Sequence, residues 1–164
     1  PVIVELTYPE IQEFFDTYVS GSTPIPYDEF FAKAGLVEKE IMNEVGYFLN
    51  GQNPYITANQ QTREIVFRSD IELNTFLKDL GVQGGDTLKS INGTEYNIEN
   101  VYDLIMASQG WSEGDDITMI VKRDGEEITL EGKISTPKDM DTTYAEMQTA
   151  DGEQIELRNA WLKG

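Results

Sequence analysis

Large apolar residues recur at helical spacing near the start of the chain. They share one face of a predicted helix at Ile11, Phe14, Phe15, Tyr18 and Val19. Thr7 and Glu10 have the spacing of a capping box at its start, with Pro9 in the first turn. A second short helix is predicted from about Pro26 to Ala34, with Gly35 in the left-handed position that follows a helix.

From Val37 onward the pattern changes to short strands separated by turns. Strands are predicted at Val37–Met42, Gly46–Asn50, Glu64–Arg68, Leu88–Asn92 and Ile117–Arg123. One helix is predicted over Leu73–Leu80, opened by a capping box at Ser69-x-x-Glu72 and closed by Gly81. A further helix is predicted over Ile98–Ser108 with Asn97 as its cap.

Asp124-Gly125 predicts a two-residue type I′ turn and thereby the register of a hairpin. The register pairs Arg123 with Glu126, Lys122 with Glu127, Val121 with Ile128 and Met119 with Leu130. A slip of one residue would set Val121 opposite Glu127, so the sequence specifies this register strongly.

The tail predicts a second hairpin around Asp151-Gly152. A three-residue loop over 150–152 would pair Met147 with Ile155 and Ala145 with Leu157. We therefore expect the chain to end in strands.

Composition narrows the classes of function. The 164 residues are 39% hydrophobic and 26% charged, which suits one ordinary domain or a small domain with a companion segment. Lys and Arg number 12 against 30 Asp and Glu, so the formal charge is −18. Such a chain repels phosphate backbones, and we expect no general nucleic-acid binding.

The chain contains no cysteine and no histidine. Zinc sites built from Cys and His, thiol nucleophiles and histidine-based triads are therefore excluded within these residues. The longest stretch without charge, Val45–Thr62, is interrupted by Asn, Gly and Pro, so no membrane insertion is expected. The first residue is Pro1, which suggests a fragment or a processed form.

Two local patterns could suggest ligand chemistry. The glycine-rich segment Gly81–Asp86 leads into a predicted strand and lacks the pattern of a phosphate loop, so it indicates a turn. Acidic groups such as Glu113, Asp115 and Asp116 lack the spacing of a calcium loop. A hydrolase that uses two carboxyl groups about 5 to 10 Å apart stays open as an alternative.

The segment from Leu80 to Gly93, Leu-Gly-Val-Gln-Gly-Gly-Asp-Thr-Leu-Lys-Ser-Ile-Asn-Gly, resembles the signature of PDZ domains. The resemblance covers about residues 35–133. It implies an α+β fold, PDZ-like, with a small, partly open β-barrel or sheet and two helices. It also implies that an extended or C-terminal peptide adds to a strand edge, with no cofactor in this chain.

Carried onto this sequence, the resemblance places the peptide-binding residues in three segments. The strand edge would be Tyr47–Asn50, which includes Phe48 and Leu49. The loop whose amides hold a terminal carboxylate would be Val45-Gly46-Tyr47-Phe48. The facing helix would offer Val101, Leu104 and Ile105.

The two ends of the chain are similar to another family. Three segments near the start resemble the end of the catalytic region in the zinc metallopeptidases of the glycyl aminopeptidase family. They are Phe14-Phe15-Asp16-Thr17-Tyr18-Val19-Ser20-Gly21, Pro24-Ile25-Pro26-Tyr27-Asp28-Glu29-Phe30-Phe31 and Ala34-Gly35-Leu36. Arg158-Asn159-Ala160-Trp161-Leu162 resembles their final residues. The resemblance implies that the zinc helix lies upstream in a parent protein, that this chain alone is not an enzyme, and that the location is periplasmic or at the cell surface of a bacterium.

These inferences give three predicted segments. They are a helical segment from the end of a peptidase catalytic region over residues 1–36, a PDZ-like domain over 37–133 and C-terminal strands or an extension over 134–164. The expected function is a peptide-binding PDZ module that positions or regulates substrate for a zinc peptidase, and its partner is a peptide segment or the parent catalytic domain. A stand-alone interaction module and the PDZ part of another bacterial protease are the alternatives of the same class.

Overall fold

The computed structural model describes residues 10–163, with side chains over 11–162. The predicted cap at Thr7 and Pro9 lies outside the described residues. Helices and antiparallel strands are both present, which confirms the α+β class, and the strands form open sheets. The chain divides into two compact units. We call Pro1–Lys39 with Thr142–Gly164 the terminal unit, and Glu40–Asp141 the central unit.

The helices in chain order are α1 (Glu10–Phe14), α2 (Tyr27–Lys33), α3 (Thr75–Leu80), α4 (Val101–Ser108) and α5 (Gly152–Lys163). Phe15–Val19 continues α1 as a π-helix. The strands are β1 (Leu36–Glu44), β2 (Leu49–Asn50), β3 (Asn53–Pro54), β4 (Ile56–Asn59), β5 (Glu64–Phe67), β6 (Thr87–Ile91), β7 (Thr94–Glu95), β8 (Asp116–Arg123), β9 (Glu126–Lys133) and β10 (Lys138–Glu146).

Aromatic packing holds the terminal unit together. The ring centroids of Phe14 and Phe30 are 5.8 Å apart, and Phe31 lies 4.1 Å from Tyr144 and 5.8 Å from Trp161. These contacts confirm that the apolar faces predicted for α1 and α2 are packing faces. Some of the same rings line an apolar cleft of about 460 Å³.

The hairpin predicted around Asp151-Gly152 is wrong, because these residues open helix α5. The Asp151 side chain accepts a hydrogen bond from the Gln154 N–H (2.9 Å), and the Gln154 side chain accepts one from the Asp151 N–H (2.9 Å). This reciprocal pair is a capping box, and it satisfies two donors at the start of the helix. Strand β10 pairs with β1 instead of with a later segment.

The central unit is built on one antiparallel sheet. Its strand order is β4-β5-β6-β8-β9, and β7 pairs with β6. The hairpin of β8 and β9 has the predicted register, including Val121 opposite Ile128 and Met119 opposite Leu130. The core includes the fully buried side chains of Phe48, Phe67, Leu77, Leu88 and Met119.

Both helices of the central unit begin later than predicted. Asn74, not Ser69, caps α3, because its side chain accepts the Leu77 N–H at 3.0 Å. The end at Gly81 is as predicted, with φ +92°. Helix α4 starts at Val101, since the Asn97 side chain instead accepts the Glu99 N–H in the preceding turn.

Candidate functional site

Two clefts of the central unit lie along the same face of α4. The first has a volume of about 320 Å³ and lies between the loop 45–49 and the end of α4, where it is lined by Ile105, Ser108 and the next residue, Gln109. The second, of about 330 Å³, lies between α4 and strand β4. Leu49 and Ile105 line both clefts, so we treat the two as one groove and call it the α4 groove.

The structure brings most of the predicted site residues together. The first cleft is lined by five consecutive residues of the predicted loop and strand: Val45, Gly46, Tyr47, Phe48 and Leu49. Val101 and Ile105 line the second cleft from the helix side.

Two predicted residues line neither cleft. Leu104 is 0% exposed and belongs to the core, next to the face of α4 that lines the groove. The Asn50 amide donates to Asp139 Oδ2 at 3.0 Å, which holds strand β2 in place. Leu104 and Asn50 therefore support the groove without forming its surface.

Sequence reasoning missed several residues that line the groove. They are Pro54, Ile56, Thr57, Ala58, Ile98, Tyr102, Ser108 and Gln109. The signal was present for two of them, because Ile98 and Tyr102 share the spacing i, i+3, i+4 and i+7 with Val101 and Ile105.

Strand β4 offers a free backbone edge beside the groove. It pairs with β5 from Ile56 opposite Phe67 to Asn59 opposite Glu64. On its other side no strand pairs with it among residues 10–163, and Thr57 and Ala58 are exposed. An edge strand of this kind presents unpaired N–H and C=O groups that can accept another chain.

The loop 45–49 is tightly turned. The Gly46 N–H donates to the Leu49 carbonyl at 2.9 Å. The position of Gly46 also has no room for a side chain, because an added Cβ would lie 2.9 Å from the same Leu49 carbonyl oxygen. Only glycine allows this approach without a shift of the backbone.

Gly46→Ala is expected to deform the first cleft. The added methyl group meets a backbone oxygen, which cannot move aside as a flexible side chain could, so we expect a stability loss of about 1–3 kcal/mol. Urea unfolding measures the loss. The control is Gly51→Ala, at a glycine in the next turn. An added Cβ at Gly51 would meet no atom within 4 Å, so this variant carries only the backbone cost of its positive φ of +59°. A loss at Gly46 no larger than the loss at Gly51 would contradict the tight loop.

Two tyrosines pack close to this loop, Tyr47 half-buried and Tyr55 buried. The Tyr47 ring lies 4.9 Å from Phe76 and 4.8 Å from Trp111, and burial, followed by the charge of Glu113, raises the pKa of its phenol. The Tyr55 hydroxyl donates to Asp139 Oδ2 at 2.8 Å. Burial raises the pKa of Tyr55 most, and the hydrogen bond to Asp139 adds to it. Both phenols therefore stay neutral at ordinary pH.

The described side chains contain no metal-binding cluster, since no group of three or more Asp, Glu, His or Cys converges within them. Among the same residues, no helix has the length and apolar character needed to cross a membrane. Neither cleft of the α4 groove is lined by a carboxylate. The surface of the groove is thus uncharged and mainly apolar.

No protein-family profile matches the chain, and no curated protein matches it. Solved structures do. An aminopeptidase N family protein from Idiomarina loihiensis is 15% identical with a TM-score of 0.42, over 93% of this chain and 26% of that chain. This chain therefore spans about a quarter of the length of that protein.

Two structures of the PDZ domain of EpsC from Vibrio cholerae also match. They are 17% and 18% identical, with TM-scores of 0.36 and 0.35, and each match covers 48% of this chain. The matches cover 75% and 91% of the two EpsC chains. The matching structures thus include PDZ domains and an aminopeptidase N family protein.

Proposed function

We propose that the central unit binds the C-terminal segment of a polypeptide in the α4 groove. The observation that carries this proposal is the position of the two clefts on one face of α4, joined by Leu49 and Ile105. The loop 45–49 lies at one end of the groove and the free edge of β4 at the other. An extended peptide has the backbone groups that such an edge requires, and its alternate side chains can enter the two clefts.

The size and chemistry of the clefts favour a peptide with an apolar last side chain. The first cleft, at about 320 Å³, is large enough for one such side chain and the carboxylate beside it. Its walls include Tyr47, Phe48, Leu49 and Ile105, which favour burial of an apolar group. The terminal carboxylate would meet backbone N–H groups of the loop, which act as neutral hydrogen-bond donors.

We further propose that the chain is the C-terminal part of a zinc peptidase, in which this groove positions or regulates a peptide substrate or a segment of the parent itself. The support is the resemblance of residues 14–36 and 158–162 to that family. The zinc would then be held upstream and not by these residues. The coding sequence before Pro1 provides the test: it should encode His-Glu-x-x-His, and a sequence without that motif would favour a stand-alone module.

The carboxylate-based hydrolase has less support. Another cleft of the central unit, of about 390 Å³, carries Glu64, Glu95 and Glu127 together with Lys89. Glu64 forms an ion pair with Lys89, and the hydrogen bond from Lys89 lowers the pKa of Glu64. A general acid needs a raised pKa, so this direction argues against Glu64 in that role.

Fluorescence anisotropy tests the proposed binding. The probes are labelled peptides of about ten residues that end in Leu, Val, Phe or Asp, titrated with the 164-residue chain. We expect saturable micromolar binding of the apolar-ended peptides and much weaker binding of the Asp-ended one, because the cleft is apolar and the protein carries a charge of −18. Equal binding of all peptides, or none, would contradict the proposal.

A further inference from the structure

Asn74 connects helix α3 to the loop of the first cleft. Its side chain is 0% exposed. The amide oxygen accepts the Leu77 N–H at 3.0 Å, and the amide nitrogen donates to the carbonyl oxygens of Gly46 (3.3 Å) and Tyr47 (3.0 Å). One buried side chain thus caps a helix and holds two successive peptide units of the loop.

These two hydrogen bonds determine where the loop N–H groups point. A trans peptide unit is planar, with its C=O and the following N–H on opposite sides, and the described residues contain no cis peptide bond. Since the Gly46 and Tyr47 carbonyls point inward to Asn74, the N–H groups of Tyr47 and Phe48 point away from it. Both residues line the first cleft.

The same two N–H groups are available to a ligand. Among the hydrogen bonds of residues 10–163, none has the N–H of Tyr47 or Phe48 as its donor. The neighbouring Gly46 N–H is instead used internally by the Leu49 carbonyl. The loop therefore offers two adjacent donors with no competing partner.

We propose that Asn74 is the positioning residue of this loop, which aims the Tyr47 and Phe48 N–H groups into the first cleft and thereby selects peptides with a free terminal carboxylate. This inference rests on the proposed peptide binding. Asn74 touches the loop and not the ligand, so its effect passes entirely through the backbone of residues 46–48. The selection between a carboxylate and a neutral peptide end is the property that it controls.

The test compares two forms of one peptide, with a free C-terminal carboxylate and with a C-terminal amide. Two charge-assisted hydrogen bonds to the carboxylate should make the free acid bind the wild-type chain at least about 10-fold more tightly than the amide. Asn74→Asp keeps an oxygen for the Leu77 N–H but removes the amide donor and sets a carboxylate against two carbonyl groups. We expect the acid-to-amide ratio of affinities to fall below about 3-fold.

A control separates positioning from simple loss of stability. Leu130→Ala on β9 lines neither cleft and removes apolar packing at the edge of the core, so it should lower the unfolding midpoint and leave the acid-to-amide ratio unchanged. Asn74→Ser, which retains a capping hydroxyl but is shorter, gives a second reading should Asn74→Asp fail to fold.

The outcomes separate this inference from the proposed function. Absence of any peptide binding by the wild-type chain would overturn the proposed function and the inference with it. Wild-type binding with equal affinity for acid and amide would leave the groove but overturn the role of its loop amides. A full acid-to-amide ratio in both Asn74 variants would overturn the role of Asn74 alone.

Discussion

Ile105→Asp should weaken peptide binding by roughly 100-fold. Ile105 lies at the junction of the two clefts and lines both of them, so the variant loses an apolar contact on each side. It also places a carboxylate in the wall of the groove, and a bound peptide would have to displace the water around that charge. Together these costs amount to about 3 kcal/mol. The measurement is the dissociation constant of an apolar-ended peptide.

Met106→Asp is the matched control for this prediction. Met106 is the next residue of α4, is 65% exposed and lines neither cleft. The substitution adds the same charge to the same helix, so any change that comes from net charge or helix stability should be shared by both variants. We expect Met106→Asp to change the affinity by less than about 3-fold. Equal losses in the two variants would place the peptide away from the α4 groove.

Asp86→Ala should lower the free energy of unfolding by about 3 kcal/mol. The Asp86 residue is 1% exposed and accepts two hydrogen bonds of 2.7 Å from Arg123, on β8, and one of 2.9 Å from the Gln83 N–H. Removing the carboxylate leaves the Arg123 guanidinium without its charged partner and the Gln83 N–H without its acceptor. Breaking such a pair costs more than the pair itself contributes, because the remaining charge is poorly solvated.

The Arg68–Asp70 pair provides the control for burial. Its geometry is similar, with hydrogen bonds of 3.0 and 2.7 Å, but the Asp70 side chain is 67% exposed. Asp70→Ala should therefore cost much less stability than Asp86→Ala, because solvent screens the exposed pair. Both variants are to be compared by urea unfolding in a Trp161→Phe background, where Trp111 remains as the single tryptophan and reports on the central unit. Equal losses would show that burial of Asp86 adds nothing.

Local chemistry explains which elements could be predicted. The β8–β9 hairpin was predicted in full because Asp124 and Gly125 both adopt positive φ, +52° and +91°, which a type I′ turn requires. The Asp151-Gly152 pair has the same turn signature, but the capping box with Gln154 makes it a helix start. A dipeptide alone does not distinguish these two uses of Asp.

The candidate site was harder to predict because its residues meet only in the folded unit. Leu104 and Ile105 are adjacent and both apolar, and the sequence does not say which one packs in the core and which one lines the groove. Strand β4 has a single buried residue, Ile56, so alternation gives no signal for it. It becomes a strand through its pairing with β5.

The role of Asn74 was hidden for a related reason. Ser69 and Glu72 have the spacing of a capping box, whereas the observed cap comes two residues after Glu72. The hydrogen bonds of Asn74 to Gly46 and Tyr47 join residues 28 and 27 positions apart. Such contacts depend on tertiary structure, and a sequence pattern contains no trace of them.

The most direct test of the α4 groove is an NMR titration of the ¹⁵N-labelled chain with an apolar-ended peptide. Binding in the groove should shift the amide signals of Tyr47 and Phe48 and those along α4, with one saturation curve for all of them. Shifts confined to the aromatic cleft of the terminal unit, or no shifts at any peptide concentration, would contradict peptide recognition by this groove.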